Sequence, residues 1–167
     1  LGIDPKLFTK TQIKNFFLKN NKIKYINKNL IDEIKMQKNN LVTPFFSLNK
    51  TIVGESVNSK INKISNYLKK KKSDYIFISA PENVAWILNI RGGDSPNSPV
   101  PNSRLIISKA KKILLISKLK KCKKLIKNKI IKKNQFLDID KFPKEIAKLN
   151  GKNFIIDDKS CSIFFEN

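Results

Sequence analysis

The stretch Asp74-Tyr75-Ile76-Phe77-Ile78-Ser79-Ala80-Pro81-Glu82-Asn83-Val84-Ala85-Trp86-Ile87-Leu88 fixes the class of this chain, because its pattern changes from strand to helix within a few residues. Tyr75 to Ile78 is a continuous apolar run, as expected of a strand in a sheet covered on both faces. Ser79-Ala80-Pro81-Glu82 has the S-x-x-E spacing of a capping box and opens an apolar helix from Asn83 to Leu88. Trp86 falls on the apolar stripe of that helix and reads as core. Upstream, Val57, Ile61, Ile64 and Leu68 recur at helical spacing, which predicts an amphipathic helix with lysines on its outer face. Downstream, Arg91 to Asn102 is a Gly/Pro/Asn loop that reads as irregular. Leu105 to Ser108 and Ile113 to Ile116, joined by Lys109-Ala110-Lys111-Lys112, predict a β-hairpin. A lysine-rich helix follows around Lys118 to Lys129, with Leu119, Cys122, Leu125 and Ile126 on one stripe. Phe142 to Leu149 predicts another helix and Asn153 to Asp157 another strand. The order from residue 57 is α-β-α-β-β-α-α-β. It predicts a layered α/β/α domain with a mixed sheet that includes an antiparallel pair.

The segment before residue 57 is less regular. Gly2-Ile3-Asp4-Pro5 reads as a short strand running into a turn, and Thr9 or Thr11 is placed to cap a helix carrying Ile13, Phe16 and Phe17. Lys22 to Ile26 predicts a short strand, and Asn29 to Ile34 one or two helical turns. Lys38 to Ser56, with Pro44 and polar punctuation, reads as a connector.

The whole chain has 167 residues, enough for one domain or one domain with an appendage. Its hydrophobic content of 40% supplies a core, so disorder from end to end is excluded. The net charge is +22, which raises the question of nucleic acid. However, 33 Lys stand against only 2 Arg, alongside 25 Ile and 20 Asn, a composition expected of A+T-rich coding. There is no His, which removes histidine bases, His-ligated metals and Ser-His or Cys-His nucleophiles. Cys122 and Cys161 form no C-x-x-C and read as free thiols of a reducing compartment. The longest apolar run, Val84 to Leu88, is far short of a membrane span, and no signal peptide is visible. The chain starts without Met and ends in the middle of a pattern, as expected of a piece of something longer.

Each candidate motif has a plain structural reading beside the functional one. Lys69 to Lys72 and the nine lysines from Lys118 to Lys133 are candidates for tracking a phosphate backbone. Arg, which makes bidentate phosphate and base contacts, is nearly absent, and aromatics do not interleave with the lysines, so a solvated helix face is the better reading. Asp157-Asp158 is a candidate hard-cation site, set against an ordinary turn after a strand. Gly92-Gly93 is a candidate anion nest, but no phosphate-loop pattern surrounds it.

One segment is more specific. Glu82-Asn83-Val84-Ala85-Trp86-Ile87-Leu88-Asn89-Ile90-Arg91-Gly92-Gly93-Asp94, with Asn97-Ser98-Pro99-Val100, resembles the DEIAWLxNLRGxD…NPV segment of three-domain Xaa-Pro aminopeptidases, in the creatinase/prolidase superfamily. Gly2-Ile3-Asp4-Pro5 is similar to the family's GxDP, and Asn29 to Ile34 to its NLVDxIW. Gly54-Glu55-Ser56 with Lys60-Ile61 is similar to its GxS…K(I/V), and Asp158-Lys159-Ser160 to its DKxS. Met36 departs from a usual Trp, and Asn102-Ser103 from an aromatic-rich segment. The resemblance implies a creatinase/prolidase N-terminal domain fold. It places the tail of a preceding domain plus linker at 1–50 and a noncatalytic domain at 51–167. It further implies a partner, the pita-bread catalytic domain of the same polypeptide, which would carry a dinuclear divalent metal centre, with manganese expected. A homodimer partner and a cytoplasmic location are expected as well. No catalytic residue, cofactor or metal ligand is expected in this chain, nor any membrane or specific nucleic-acid partner. Asn89, Arg91, Gly92 and Asp94 are the expected substrate-cleft or interdomain residues.

Arg91 stands out in a chain biased toward lysine, because such a position calls for a planar, five-donor fork. Two readings of it stay open at this point. It either clamps the loop, through Asp94 or through loop carbonyls, or it contacts a neighbouring domain or the substrate. The alternative for the whole chain is a basic nucleic-acid-binding module, followed by an adaptor for anionic surfaces.

Overall fold

Thr9 starts the first helix, Lys10–Phe16 (α1), through a reciprocal capping box. Its hydroxyl accepts from the Gln12 N–H at 3.1 Å, while Gln12 Oε1 accepts from the Thr9 N–H at 2.9 Å. Thr11, the other candidate cap, instead donates to Asp158 Oδ2 at 3.4 Å. This computed structural model describes residues 1–17, 22–26, 29–34, 43–49 and 51–166, and it divides into two compact units, 1–41 with 156–167 and 42–155. In the first unit Gly2–Ile3 (β1) pairs in parallel with Lys24–Tyr25 (β2). Among its described residues, Leu30–Ile34 (α2) and Ile163–Glu166 (α7) are also helical. Ile3, Ile13 and Ile163 are buried together, with Phe8, Phe17 and Ile23 packed around them.

The second unit is built on a mixed sheet. Its strands are Tyr75–Ile78 (β4), Arg104–Ser108 (β6), Ile113–Ser117 (β7), Phe136–Asp138 (β8) and Phe154–Ile155 (β9), in the spatial order β8-β7-β6-β4-β9. β6 is antiparallel to both β4 and β7, while β8 pairs in parallel with β7 and β9 in parallel with β4. The expected hairpin is thus present, turning through Lys111 at φ 64. Side chains alternate across the sheet. Ile78, Leu105, Ile107 and Leu115 share one core with Ile61 of Val57–Lys70 (α3), Val84, Ile87 and Leu88 of Pro81–Leu88 (α4), and Cys122 and Leu125 of Leu119–Lys127 (α5). Phe77, of opposite parity on β4, stacks on Phe142 of Phe142–Ala147 (α6) with ring centroids 5.8 Å apart. Helices therefore cover both faces, the layered α/β arrangement expected from the element order.

Several local expectations are corrected. Ala80, not Ser79, is the N-cap of α4 and offers no side-chain cap, because Pro81 takes the first helical position and shifts the S-x-x-E spacing out of register by one residue. Part of the supposed connector is structured: Phe46–Ser47 (β3) pairs antiparallel with Ile90–Arg91 (β5), and Phe45 beside it is fully buried. Arg91 is consequently in a strand rather than a loop. Residues 38–42 and 50 of that stretch, like Met36, lie outside the described residues. β8 has no counterpart among the expected strands, and β9 is shorter than expected. Leu119 is exposed rather than on the buried stripe of α5.

Candidate functional site

The segment that carries the sequence resemblance folds at the C-terminal end of α4. Asn89 ends this helix in the left-handed region, at φ 52 and ψ 38, one of the few non-glycine residues that adopt it readily. The reversal sends the chain into β5. The Asn89 carbonyl accepts from the Leu48 N–H at 2.9 Å, so β3 is fastened to the same corner.

A buried ammonium holds this corner together. Lys60, on α3, is only 3% exposed. Its Nζ donates to the Trp86 carbonyl at 2.5 Å and to Asn89 Oδ1 at 2.7 Å, and it lies 4.1 Å from the centroid of the Trp86 ring. Asn89 Nδ2 in turn donates to the Glu55 carbonyl at 3.0 Å. The cation thus satisfies the open carbonyl end of α4, where the helix dipole favours positive charge. Burial nevertheless pushes the Lys60 pKa below the ordinary lysine value, with the Glu55 charge opposing that shift and Arg91 and Lys63 adding to it. Glu55 is itself held below the usual carboxylate range, first by its bond with Lys63 and then by that from Ser59. The prediction that the α3 lysines line an outer face is therefore wrong at Lys60. Sequence could have shown this, since Lys60 stands three residues after Val57 and four before Ile64, inside the apolar stripe.

Trp86 is also corrected. It is 56% exposed rather than core, one ring face covered by the Lys60 ammonium and much of the rest open.

Of the four expected site residues, Asn89, Arg91 and Asp94 are half-buried and Gly92 is buried. Arg91 is half-buried, and its Nη1 donates to the Ala85 carbonyl at 3.1 Å and to its neighbour Ile90 at 2.9 Å. It does not pair with Asp94. Asp94 binds Lys121 of α5 in a salt bridge, and its Oδ2 accepts from the Asn102 N–H at 2.7 Å, tying the loop to that helix. Gly92 has no positive φ, so the anion-nest geometry is absent, and its role is close packing. A Cβ placed there would lie 2.8 Å from the Phe45 ring and 2.9 Å from the Pro101 Cα. At Gly93 it would lie 2.9 Å from Thr43.

The remaining candidates are dispersed. Asp157 accepts from the Lys159 N–H and the Ser160 hydroxyl, a turn rather than a cation site. Among the described residues no group of three or more His, Cys, Asp or Glu side chains could hold a metal ion. Cys122 and Cys161 are buried and form no disulfide, and burial pushes the Cys122 thiol up to about 12.

The profile of the creatinase/prolidase N-terminal domain matches residues 36–167, most of the chain and all of the Trp86–Asp94 corner. The chain belongs to that family. This creatinase/prolidase N-terminal domain is 32% identical over 119 residues to a probable Xaa-Pro aminopeptidase P of Fusarium vanettenii, covering 65% of the chain and 19% of that relative. It is 33% identical over 115 residues to aminopeptidase P2 of Arabidopsis thaliana, covering 64% and 16% respectively. Its fold matches a crystal structure of the X-prolyl aminopeptidase of Caenorhabditis elegans, described as a cytosolic enzyme with a di-nuclear active site. That match has a TM-score of 0.60 at 24% identity and covers 93% of this chain and 23% of that one. The domain spans about a fifth of the length of the relatives it matches. No helix among its described residues is long and apolar enough to cross a membrane.

Proposed function

We propose that this chain is the noncatalytic N-terminal-region domain of a metal-dependent Xaa-Pro aminopeptidase, an enzyme that releases the N-terminal residue preceding proline. On this reading residues 1–50 are the tail of a preceding domain with its linker, and 51–167 are the domain proper. Its work is to shape the substrate cleft and support assembly, through the corner formed by Asn89, Arg91, Gly92 and Asp94. The observation that carries the reading is the family match over residues 36–167 together with relatives about five times longer. The described residues do not fit a dinuclear metal, because they offer no ligand cluster. Such a centre, manganese being the proposed ion, would belong to a catalytic pita-bread domain in the same polypeptide. A cytosolic location and a homodimer belong to the same proposal.

The test compares residues 1–167 with the longer polypeptide encoded by the same reading frame. The longer protein is expected to release the residue before proline with manganese and to lose that activity on chelation. Residues 1–167 alone are expected to release nothing. Release by the short chain, or none by the long one, would overturn the proposal.

A further inference from the structure

We propose that Trp86 and Arg91 form a docking surface for a carboxylate-bearing segment of the catalytic part of the same polypeptide. This rests on the function proposed above. Trp86 presents an exposed indole whose inner face is fixed on a buried ammonium. An aromatic ring held this way contributes a large apolar area with little conformational freedom left to lose. Beside it, Arg91 spends a single nitrogen on the two backbone carbonyls that anchor it. Among the described residues its Nε and Nη2 have no partner, so a positioned guanidinium keeps most of its planar donor fork for something else. Phe46, opposite Arg91 on the short β3–β5 ribbon, is 42% exposed and extends the apolar part of the surface. A ring, a second aromatic and a half-used guanidinium make an apolar patch with one strong carboxylate receptor at its edge.

Charge decides between occupants. A second copy of this chain would bring another +22 and set Arg91 near Arg91 across a two-fold contact, which repels. A carboxylate-bearing segment of the catalytic part complements the patch, and it acts at high effective concentration because it is tethered.

The test replaces Trp86 with the photo-crosslinking residue p-benzoylphenylalanine in the longer polypeptide and maps the cross-link by peptide mass spectrometry. The expected product is an intramolecular link to a segment beyond Asn167 that contains Asp or Glu. Its yield is expected to fall about tenfold with Arg91→Glu, the factor corresponding to about 1.4 kcal/mol. In the protein with native Arg91, the yield is also expected to fall from low to high salt, a measurement that needs no second substitution. A link only within residues 1–167, to a second copy, or to an added Xaa-Pro peptide would overturn the proposal. So would no link, or a yield that ignores salt. The cross-link is read without any activity assay, and peptide release is measured separately, so failure of the docking surface and failure of the proposed function show up in different experiments.

Discussion

At the scale of single residues, Arg91 and Gly92 serve the same corner by opposite means. Arg91 fills it with directed bonds, and Gly92 leaves it free of atoms. Lysine in place of Arg91 supplies one ammonium, which does not reproduce a planar guanidinium anchored to two carbonyls through one nitrogen. Arg91→Lys is expected to lower the stability of residues 1–167 by about 1–3 kcal/mol, the range for a lost charge-assisted bond, read from denaturant unfolding. An unchanged midpoint would mean that the two carbonyl bonds contribute nothing. Gly92→Ala places a methyl group against the buried Phe45 ring and the Pro101 backbone. It is expected to cost about 1–3 kcal/mol through overpacking, again read as a lower unfolding midpoint. Arg91 stood out in the sequence because arginine is rare here. Lys60 did not, because one lysine among 33 carries no compositional signal and only its place in the apolar stripe marks it. The exposure of Trp86 was not legible: burial of a helix face depends on what packs there from other elements, and the ribbon beside α4 comes from residues 46–47, whose pattern is too short to read.

At the scale of elements, Asp74 joins parts distant in sequence. Its carboxylate accepts from Lys109 Nζ at 2.7 Å and from the Asn153 N–H at 3.1 Å, so the start of β4 is fastened to the hairpin turn and to the approach to β9. These bonds, that from Lys109 foremost, hold the Asp74 pKa below the ordinary 3.8. The unfolded chain therefore binds the proton more readily than the folded one. The stabilisation from Asp74 is fully present above about pH 3.8 and is lost as pH falls through the lower folded value. Asp74→Asn is expected to flatten this acid limb of the stability curve, measured by urea unfolding from neutral to acid pH. An identical acid limb in the variant would show that Asp74 carries none of it. The long strands and the hairpin were legible because apolar runs of four or five residues bounded by turn residues have few alternatives. β3, β5 and β8, of two or three residues each, follow from tertiary pairing and leave little trace in local pattern, whereas β9 showed in the apolar run Phe154-Ile155-Ile156.

At the scale of the whole molecule, the charge of +22 sits largely on solvated lysines, including most of those on α5, where Lys121 is the one engaged with Asp94. Binding of residues 1–167 to DNA or RNA is expected to be nonspecific, falling steeply as salt rises and indifferent to sequence. Competition between unrelated oligonucleotides, measured by fluorescence anisotropy across salt concentrations, checks this. A preference of about 100-fold at physiological salt would point to a dedicated nucleic-acid site. The pairing of β4 with β9 has a consequence for biosynthesis. The partners of Asp74 and Tyr75 at β9 lie about 79 residues further along the chain. At about 5–20 residues per second, the ribosome takes roughly 4–16 s to make that interval. Throughout it, the apolar strand Tyr75–Ile78 has one edge with no native neighbour. An open, hydrophobic edge is a template for pairing with other chains. Nascent chains stalled before Phe154 are therefore the ones most exposed to aggregation and most in need of a chaperone, whereas in the completed chain β9 pairs with that edge at Tyr75 and Ile76.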